Sequence, residues 1–386
     1  MSGITRVSSS KYLQSWLALH LVPGMGPVTC KKLVAHFGSP DKVLSADIHD
    51  LASVCRLRQK SLNALGSGGR QKLKALAADE IAKAAERYIR ILSCDDPLYP
   101  SLLKNIHDPP TVLYVLGNPA ALSCKGIGIV GSRAATHYGR NIAAQIAKSL
   151  VRQGFTIISG MALGIDTAAH RGALAEEGKT IAVLGCGLDI VYPPGNHLLY
   201  KDIAFSGAVV SEYPLGTLPE NFRFPARNRI ISGLSHGVVV VEAANRSGSL
   251  ITASHALEQG REVFAVPGRI DSVKSAGTHK LLQEGAKLVH SVNDIAEEFL
   301  YAPLPETQVD AGKAEREQEF FAELNQEEAS LLACLDVYPR TIDELARESG
   351  FAPQKVNELL LFLELKGKVH TLPGKCYQRA AGVSGK

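Results

Sequence analysis

The chain has 386 residues, of which 45% are hydrophobic and 21% are charged, a composition typical of a globular protein with two or three domains. Its 42 basic and 38 acidic residues leave a formal net charge of +4, so overall charge does not indicate a nucleic-acid partner, and the placement of the cations must decide. The seven cysteines occur singly, which indicates neither a zinc site nor a disulfide framework, and no apolar run reaches the ~18 residues of a membrane helix, so we expect a cytoplasmic protein without metal or membrane.

Residues 1–88 are predicted to form an all-α domain of the helix-hairpin-helix (SAM-like) type. Helical apolar spacing from Leu13 to Leu19 is broken by the turn Val22–Pro27 and then resumes. The Gly-x-Gly turn leaves backbone N–H groups at the start of the second helix, where they could hold a phosphate. The alternative is a hairpin that serves only packing or protein contact. A second hairpin over 39–65 and a helix over Gln71–Tyr88 complete the domain.

Residues 89–300 alternate between strands and helices, which is typical of a parallel sheet covered on both faces. The predicted strands are 127–130, 156–158, 180–184, 208–211, 238–241, 263–266 and 288–289. Small-residue loops follow six of these strands, and the carboxyl edge of an open α/β sheet is where ligands bind. The sequence therefore predicts an α/β fold with an extended Rossmann-like core domain and one ligand crevice at that edge.

Two glycine motifs in this domain do not indicate a nucleotide cofactor. Gly126–Gly131 has the spacing G-x-G-x-x-G, but its first two glycines precede the strand end, and no acidic residue follows about 20 positions later. Gly160–Gly164 is followed by Ile165 and Asp166 in place of the lysine and hydroxyl of a phosphate-binding loop. We therefore predict no nicotinamide or flavin cofactor and no nucleotide hydrolysis.

The stretch 222–256 combines cations, aromatic residues and an anion-binding turn. Its cations and aromatic residues include Phe222, Arg223, Phe224, Arg227 and Arg229. A short helical turn is predicted to lead into the buried strand 238–241. After that strand, residues 245–249 supply small side chains, free backbone N–H groups and a helix start, which is the composition of an anion-binding turn.

Six motifs follow one another through this domain. They are Gly128–Arg133, Ile158–Asp166, Leu184–Asp189, Phe224–Ser235, Arg246–Thr252 and Phe264–Gly268. Together they resemble the DNA processing protein A family, also called DprA or Smf. The resemblance implies a Rossmann-like domain that binds single-stranded DNA, protects it during natural transformation and helps to load the recombinase RecA. It also implies a homodimer formed through this domain.

Binding of a single strand without sequence choice needs a basic groove along the phosphates and some apolar or aromatic surface for the bases. The first candidate is Arg133, at the tip of the first predicted strand, which resembles the arginine that family members use against the DNA backbone. The other candidate DNA-binding residues are Gly131, Ser132, Gly160, Met161, Gly187, Asn196, His197, Lys201, Arg227, Asn228, Arg229, Arg246, Ser247, Gly248 and Ser249. Among them, His197 or Lys201 would replace a lysine that some members carry near the Tyr-Pro turn.

Some of these residues have a structural alternative. The arginines of 227–229 are equally well explained by buried ion pairs with Glu212 or Glu242. Phe222 and Phe224 are more readily core residues than platforms for bases. The sequence leaves these alternatives open.

A second class of function also fits the fold. Related Rossmann-like folds include phosphoribohydrolases that act on nucleotides or nucleotide-sugars and place a glutamate near a Pro-Gly-rich phosphate loop. Glu242 and Pro267-Gly268 could take those parts. The sequence assembles no nucleophile, histidine base or metal pair, so we favour a single-strand DNA binder and recombination mediator that is not an enzyme.

Residues 301–325 are predicted to be a polar linker, and residues 326–380 a winged-helix domain. The predicted elements are helices over 327–335, 342–350 and 353–366 and a β-hairpin with a turn at Pro373-Gly374. A capping box at Thr341–Glu344 starts the second helix. The third helix offers only Lys355 and Lys366 as cations and contains two glutamates, which favours protein contact over binding of duplex DNA.

Overall fold

The computed structural model describes residues 12–299, 324–336, 339–372 and 376–380. They form two compact units, one within residues 1–299 and the other within residues 300–386. Nearly all of the predicted linker and the predicted Pro373-Gly374 turn lie outside the described residues. In the part of the chain that is described, no helix is both long enough and apolar enough to cross a membrane.

Six helices of the described chain precede the sheet of the first unit. They are α1 (Leu13–His20), α2 (Pro27–Phe37), α3 (Pro40–Ser45), α4 (Ile48–Val54), α5 (Gln59–Leu65) and α6 (Gly69–Glu86). The turn between α1 and α2 places Gly24 in the left-handed region, with φ of 78°, and Pro27 is the first residue of α2. The hydroxyl of Ser61 in α5 donates to the carbonyl oxygen of Pro23 at 2.8 Å, which joins the second hairpin to this turn. The predicted helix-hairpin-helix domain is therefore present.

A nine-stranded sheet follows within residues 89–299. Its strands are β1 (Ile89–Ser93), β2 (Val112–Gly117), β3 (Gly126–Val130), β4 (Thr156–Ser159), β5 (Thr180–Leu184), β6 (Ala208–Ser211), β7 (Gly237–Val240), β8 (Glu262–Ala265) and β9 (Lys287–Leu288). Their order is β1-β2-β6-β5-β4-β3-β7-β8-β9. Strands β3 to β9 run parallel, as predicted, whereas β1–β2 and β2–β6 pair antiparallel. The core is thus a mixed, largely parallel α/β sheet.

Strands β1 and β2 are the elements of the sheet that the sequence pattern missed. The connection between them contains only the four-residue helix α7 (Ser101–Lys104), so they do not follow the alternation of strand and long helix that identifies a parallel sheet. Both strands are nevertheless mostly buried and apolar. They extend the parallel core on the side of β6.

Seven further helices surround the sheet. They are α8 (His137–Arg152), α9 (Ile165–Leu174), α10 (His197–Ser206), α11 (Arg223–Leu234), α12 (Gly248–Glu258), α13 (Ala276–Gln283) and α14 (Asn293–Ala296), counted over residues 105–299. Helix α11 has 12 residues where only a short turn was predicted. The prediction was wrong because Arg227 and Arg229 are buried with the apolar residues of this helix and obscure its apolar face.

The helical segment and the sheet share one hydrophobic core. Leu17 and Leu19 of α1 belong to the same buried cluster as Val112 and Tyr114 of β2 and Val209 of β6. Each of these side chains is almost completely removed from solvent. The apolar face of the N-terminal helices is therefore covered by the sheet itself.

The second unit is a winged-helix domain. It consists of α15 (Gln326–Ala333), β10 (Arg340–Thr341), α16 (Ile342–Ser349), α17 (Pro353–Leu365), β11 (Val369–Leu372) and β12 (Cys376–Arg379), with strand order β10-β12-β11. The predicted capping box at Thr341 and Glu344 is confirmed, and a second one, formed by Asn325 and Glu328, starts α15. Its core includes Leu331, which packs with residues of α16 and α17.

Candidate nucleic-acid interface

Strand β3 marks the point where the strand order of the sheet reverses, because β4 lies on one side of it and β7 on the other. Open α/β sheets bind ligands outside the carboxyl ends of their strands at such a point. A crevice of about 530 Å³ lies there. Its lining includes the candidate residues Gly131, Ser132, Arg133, Arg227, Asn228, Arg246, Ser247, Gly248 and Ser249. The structure therefore brings together candidates from three separate segments of the sequence.

Arg133 is exposed at the rim of this crevice. Its guanidinium carbon lies 5.2 Å from the centroid of the Phe224 ring, and Phe224 stacks on Tyr192 with ring centroids 5.4 Å apart. Arg133 forms no ion pair with any residue that the structure describes. Its charge is available to a phosphate, and the aromatic pair beside it offers a surface to a base.

The loop that carries Arg133 is held by three neighbouring segments. The N–H of Ser132 donates to the carbonyl oxygen of Glu242 at 2.7 Å, and the carbonyl oxygen of Ser132 accepts from the N–H of Ile165 at 3.2 Å. The ammonium group of Lys274 donates to the carbonyl oxygen of the residue after Arg133 at 2.6 Å. The Ser132 N–H is therefore used in a hydrogen bond within the protein. It is not a phosphate donor, although Ser132 was a candidate DNA-binding residue from the sequence.

A smaller cavity of about 170 Å³ adjoins the crevice at the ends of β4 and β5. Its walls are mainly apolar and include Leu163, Leu184 and Tyr192, while Arg133 and Phe224 line both cavities. Tyr192 has 37% of its surface exposed. The cavity is an apolar recess directly beside an exposed cation.

Arg227 forms the floor of both cavities and is only 4% exposed. Its Nη1 donates to the carbonyl oxygen of Gly160 at 2.9 Å and to that of Val183. Burial lowers the pKa of Arg227 to about 10, an effect that the charge of Asp166 opposes, so the guanidinium stays charged at neutral pH. A β-carbon at Gly160 would lie 2.7 Å from Nη2 of Arg227, which explains the glycine.

Asp166 is a buried carboxylate in the lining of the crevice. It accepts hydrogen bonds from the N–H groups of Gly160 at 3.1 Å and Ala162 at 3.3 Å. Burial raises the pKa of Asp166 to about 6, although the positive charge of Arg227 acts in the opposite direction. The crevice therefore contains an acid whose pKa is raised toward neutral pH.

The start of α12 forms the opposite wall of the crevice. Ser247 is the N-cap, with its hydroxyl 3.4 Å from the backbone nitrogen of Ser249, and a β-carbon at Gly248 would meet no atom within 4 Å. Arg246 beside it is exposed, and Asn228 ties α11 to this turn by donating to the carbonyl oxygen of Gly248 at 3.2 Å. An open helix N-terminus beside an exposed cation favours an anionic ligand.

Arg229 lies outside the crevice in a buried ion pair. Its Nη1 and Nη2 donate to the two carboxylate oxygens of Glu212 at 3.0 and 2.7 Å, and its Nε donates to Asp108 at 2.8 Å. Burial opposes the charge of Arg229, but the two carboxylates raise its pKa above the usual range. Of the two interpretations left open by the sequence, the geometry favours the ion pair with Glu212 for Arg229.

Five other candidate residues do not line either cavity: Met161, Gly187, Asn196, His197 and Lys201. Met161 is fully buried, and Asn196, only 3% exposed, donates to its carbonyl oxygen at 2.9 Å. His197 and Lys201 are exposed on α10. The buried members support the loops around the crevice without facing it.

Asp166 and Lys274 were not predicted from the sequence as parts of this site, and Tyr192 entered only as the tyrosine of the Tyr-Pro turn. Lys274 contacts the β3 loop over a separation of 140 residues, so no local pattern identifies it. The sequence drew attention to Asp166 only because it stands where a phosphate-binding loop would have a magnesium-binding hydroxyl. Its burial in the crevice depends on the packing of α9, which the sequence does not show.

Three family models match the chain. One described as DNA recombination-mediator protein A matches residues 90–300. One described as a DprA winged helix domain matches residues 318–375, and one described as a SAM-like helix-hairpin-helix tandem matches residues 17–65. The three matches fall on the sheet, the second unit and the N-terminal helices.

Two curated relatives are similar over much of their length. The chain is 36% identical over 392 residues to Protein Smf of Synechocystis sp., covering 94% of this chain and 98% of that protein. It is 45% identical over 221 residues to DNA processing protein DprA of Bacillus subtilis, covering 57% of this chain and 74% of the relative.

Two solved structures resemble this one. DNA processing protein A from Streptococcus pneumoniae superposes with a TM-score of 0.64 at 37% identity, covering 75% of this chain and 97% of that chain. DNA processing protein A from Helicobacter pylori, described for its single-stranded DNA binding mode, superposes with a TM-score of 0.50 at 32% identity, covering 54% of this chain and 94% of that chain.

Proposed function

This chain belongs to the DNA recombination-mediator protein A family, also called DprA or Smf, and we propose that it binds single-stranded DNA without sequence preference and hands it to the recombinase RecA. The crevice at the sheet reversal is the observation that carries the binding proposal. There, the exposed side chains of Arg133 and Arg246, which form no ion pair within the described residues, flank the open start of α12. Two cations and a helix N-terminus around one groove are suited to a phosphate backbone.

The same crevice supports binding that is indifferent to base sequence. The aromatic pair of Tyr192 and Phe224 offers its surface to any base, because every base has a π-face. The charged groups at the rim suit phosphates, which carry no sequence information. The bound strand would therefore be held by its backbone and by stacking.

The protein is proposed to act without catalysis. The carboxylate of Glu242, which a phosphoribohydrolase mechanism would need, accepts hydrogen bonds from the N–H and hydroxyl of Thr136 and lines neither cavity. Gly268 packs against Ser275, so a β-carbon there would lie 2.1 Å from the Ser275 hydroxyl oxygen. These contacts support a structural role for both residues.

Protection of incoming DNA, RecA loading, natural transformation and homodimer formation are proposed from family membership. The loading step is tested by coating a single strand with a single-strand binding protein and asking whether RecA displaces it only when this chain is present. If RecA assembles equally well without the chain, the loading proposal is rejected, while DNA binding stands. Light scattering on the pure protein decides the homodimer.

The winged-helix domain is proposed to contact a protein. The ammonium groups of Lys355 in α17 and of Lys366 directly after it lie 3.0 Å from Glu327 and 2.7 Å from Glu328. The outer face of α17 exposes Leu365, 77% accessible, among glutamates. An apolar surface with acidic neighbours suits a basic protein segment and repels a phosphate backbone.

The test of DNA binding is a fluorescence anisotropy titration of labelled oligo-dT and of a mixed-sequence strand over a series of salt concentrations. Similar affinities are expected for both strands, with a steep salt dependence. Arg133→Ala should weaken binding of both and lower the slope of log affinity against log salt by about 0.7 if it loses one phosphate contact. The control is Arg152→Ala, which removes the same charge. Arg152 is the last residue of α8, and the Arg133 loop precedes the first residue of that helix. An Arg133→Ala titration identical to that of the control would reject the site.

A further inference from the structure

Glu242, just after β7, is a buried acidic residue that the binding proposal does not use. One carboxylate oxygen accepts the N–H of Thr136 at 2.9 Å, and the other accepts its hydroxyl. The Thr136 hydroxyl oxygen in turn accepts the N–H of Gly139 at 2.9 Å. Thr136 is the N-cap of α8, so Glu242 supports the cap of that helix from behind.

The carboxylate of Glu242 is enclosed by the first turn of α8. A β-carbon at Gly139 would lie 2.4 Å from its carboxyl carbon and 2.7 Å from each oxygen. Glycine at this position therefore makes room for the carboxylate. The group does not line the crevice.

Glu242 also holds the other end of the same loop through its backbone. Its carbonyl oxygen accepts the N–H of Ser132 at 2.7 Å, while its side chain holds Thr136. Both ends of the loop 132–136 are thus held by hydrogen bonds to one residue, Glu242, and Arg133 lies between them. Resting on the proposed DNA-binding function, we propose that Glu242 is a positioning residue that fixes this loop so that the Arg133 guanidinium is presented at the crevice.

The sign of the mutational effect separates this role from a purely electrostatic one. A carboxylate near bound phosphates repels them, so removing its charge alone would raise affinity for DNA. Loss of the loop's anchor would instead let Arg133 leave the position over Phe224, and affinity would fall. The backbone bond to Ser132 survives any side-chain change, so the side-chain anchor is tested separately.

The experiment measures oligo-dT affinity of the full chain with Glu242→Ala, Glu242→Gln and a control. Glu242→Ala is expected to weaken binding about tenfold, the value of one hydrogen bond to a charged group. Glu242→Gln should retain most of the affinity, because its amide oxygen still accepts from Thr136 and its amide group can donate to the hydroxyl. The control is Glu262→Ala. Glu262 is an exposed glutamate at the amino end of β8, whereas the crevice lies at the carboxyl ends of the strands, so this change should not weaken binding.

Coupling to Arg133 distinguishes positioning from general damage. In an Arg133→Ala background, Glu242→Ala should change affinity by less than about twofold, since the group that it positions is gone. Equal effects in both backgrounds, or a rise in affinity on Glu242→Ala, would overturn the positioning role alone. If Arg133→Ala itself leaves affinity unchanged, the proposed binding site falls and the inference with it.

A second pair of variants covers the case in which Glu242→Ala does not fold, which thermal unfolding would reveal. Thr136→Ser keeps the hydroxyl that donates to Glu242, and Thr136→Val removes it. The serine variant should bind oligo-dT as the parent does, and the valine variant should lose affinity only when Arg133 is present. Equal affinities of the two variants would reject the role of this contact.

Discussion

Arg229 and Arg152 form a matched pair for measuring what burial does to an ion pair. Each guanidinium donates two hydrogen bonds to one glutamate, at 3.0 and 2.7 Å from Arg229 to Glu212 and at 2.8 and 2.9 Å from Arg152 to Glu176. The side chain of Arg229 is 8% exposed and that of Arg152 is 66% exposed. Replacing each by methionine removes the charge and keeps the apolar stem.

Arg229→Met is expected to destabilise the first unit strongly, because it leaves the Glu212 carboxylate buried without its cation. Removing one partner of a buried pair costs about 3–5 kcal/mol. At about 2 °C per kcal/mol for a large domain, Tm should fall by roughly 6–10 °C. Arg152→Met should leave Tm unchanged within error, since an exposed pair is already well solvated.

The loss on Arg229→Met should also depend on pH. Burial lowers the pKa of His20, Glu212 raises it and the charge of Arg229 lowers it. Without Arg229, one of the causes that lower the pKa of folded His20 is gone, so the variant loses less stability than the parent as pH falls and His20 takes up a proton. The deficit of Arg229→Met should therefore be smaller near pH 5.5 than near pH 8.

Thermal unfolding followed by calorimetry at both pH values checks the stability, and an oligo-dT titration at low temperature checks the binding. Affinity should be unchanged by Arg229→Met, because Arg229 does not line the crevice. Equal Tm losses for the two variants would refute the burial argument. A lower salt slope without a lower Tm would show instead that Arg229 contacts DNA.

Three smaller predictions concern single contacts. Gly160→Ala places a methyl group 2.7 Å from Nη2 of Arg227 and should cost about 1–3 kcal/mol in thermal unfolding, whereas Gly248→Ala, with no atom within 4 Å, should not. Oligo-dT affinity should rise as pH falls through about 6, because Asp166 takes up a proton and the crevice loses a negative charge; Asp166→Asn should remove this dependence, and an unchanged pH profile would reject it. Thr341→Ala breaks a capping box and should lower the unfolding free energy of the second unit by about 1 kcal/mol, seen as a lower Tm of that unit alone.

Most of the sheet could be predicted because its parallel strands are short apolar runs that end in small residues. Strands β1 and β2 have the same apolar character but lack the long helix between them that marks a parallel crossover. The length of α11 was underestimated because Arg229 breaks its apolar pattern. That arginine is buried only because Glu212 and Asp108, which come from earlier segments, neutralise it.

The strand-end rule was sufficient to predict Arg133 as a crevice residue. The role of Glu242 in holding the loop could not be predicted, since its partner Thr136 lies 106 residues earlier in the chain. Asn196 illustrates the opposite case, a candidate DNA-binding residue whose side-chain amide instead donates to the backbone of a neighbouring loop. Sequence pattern identifies which loops meet, and only packing decides which side chains face the ligand.

The core shared by the N-terminal helices and the sheet has a consequence for synthesis on the ribosome. Leu17 and Leu19 leave the exit tunnel early, but the buried cluster to which they belong is completed only when Val209 of β6 has been made. At a synthesis rate of about 5–20 residues per second, the apolar face of α1 stays incompletely buried for on the order of ten seconds or more. The nascent chain therefore presents an exposed apolar helical surface for about half of its translation, and a chaperone that shields it would act before the proposed DNA-binding crevice exists.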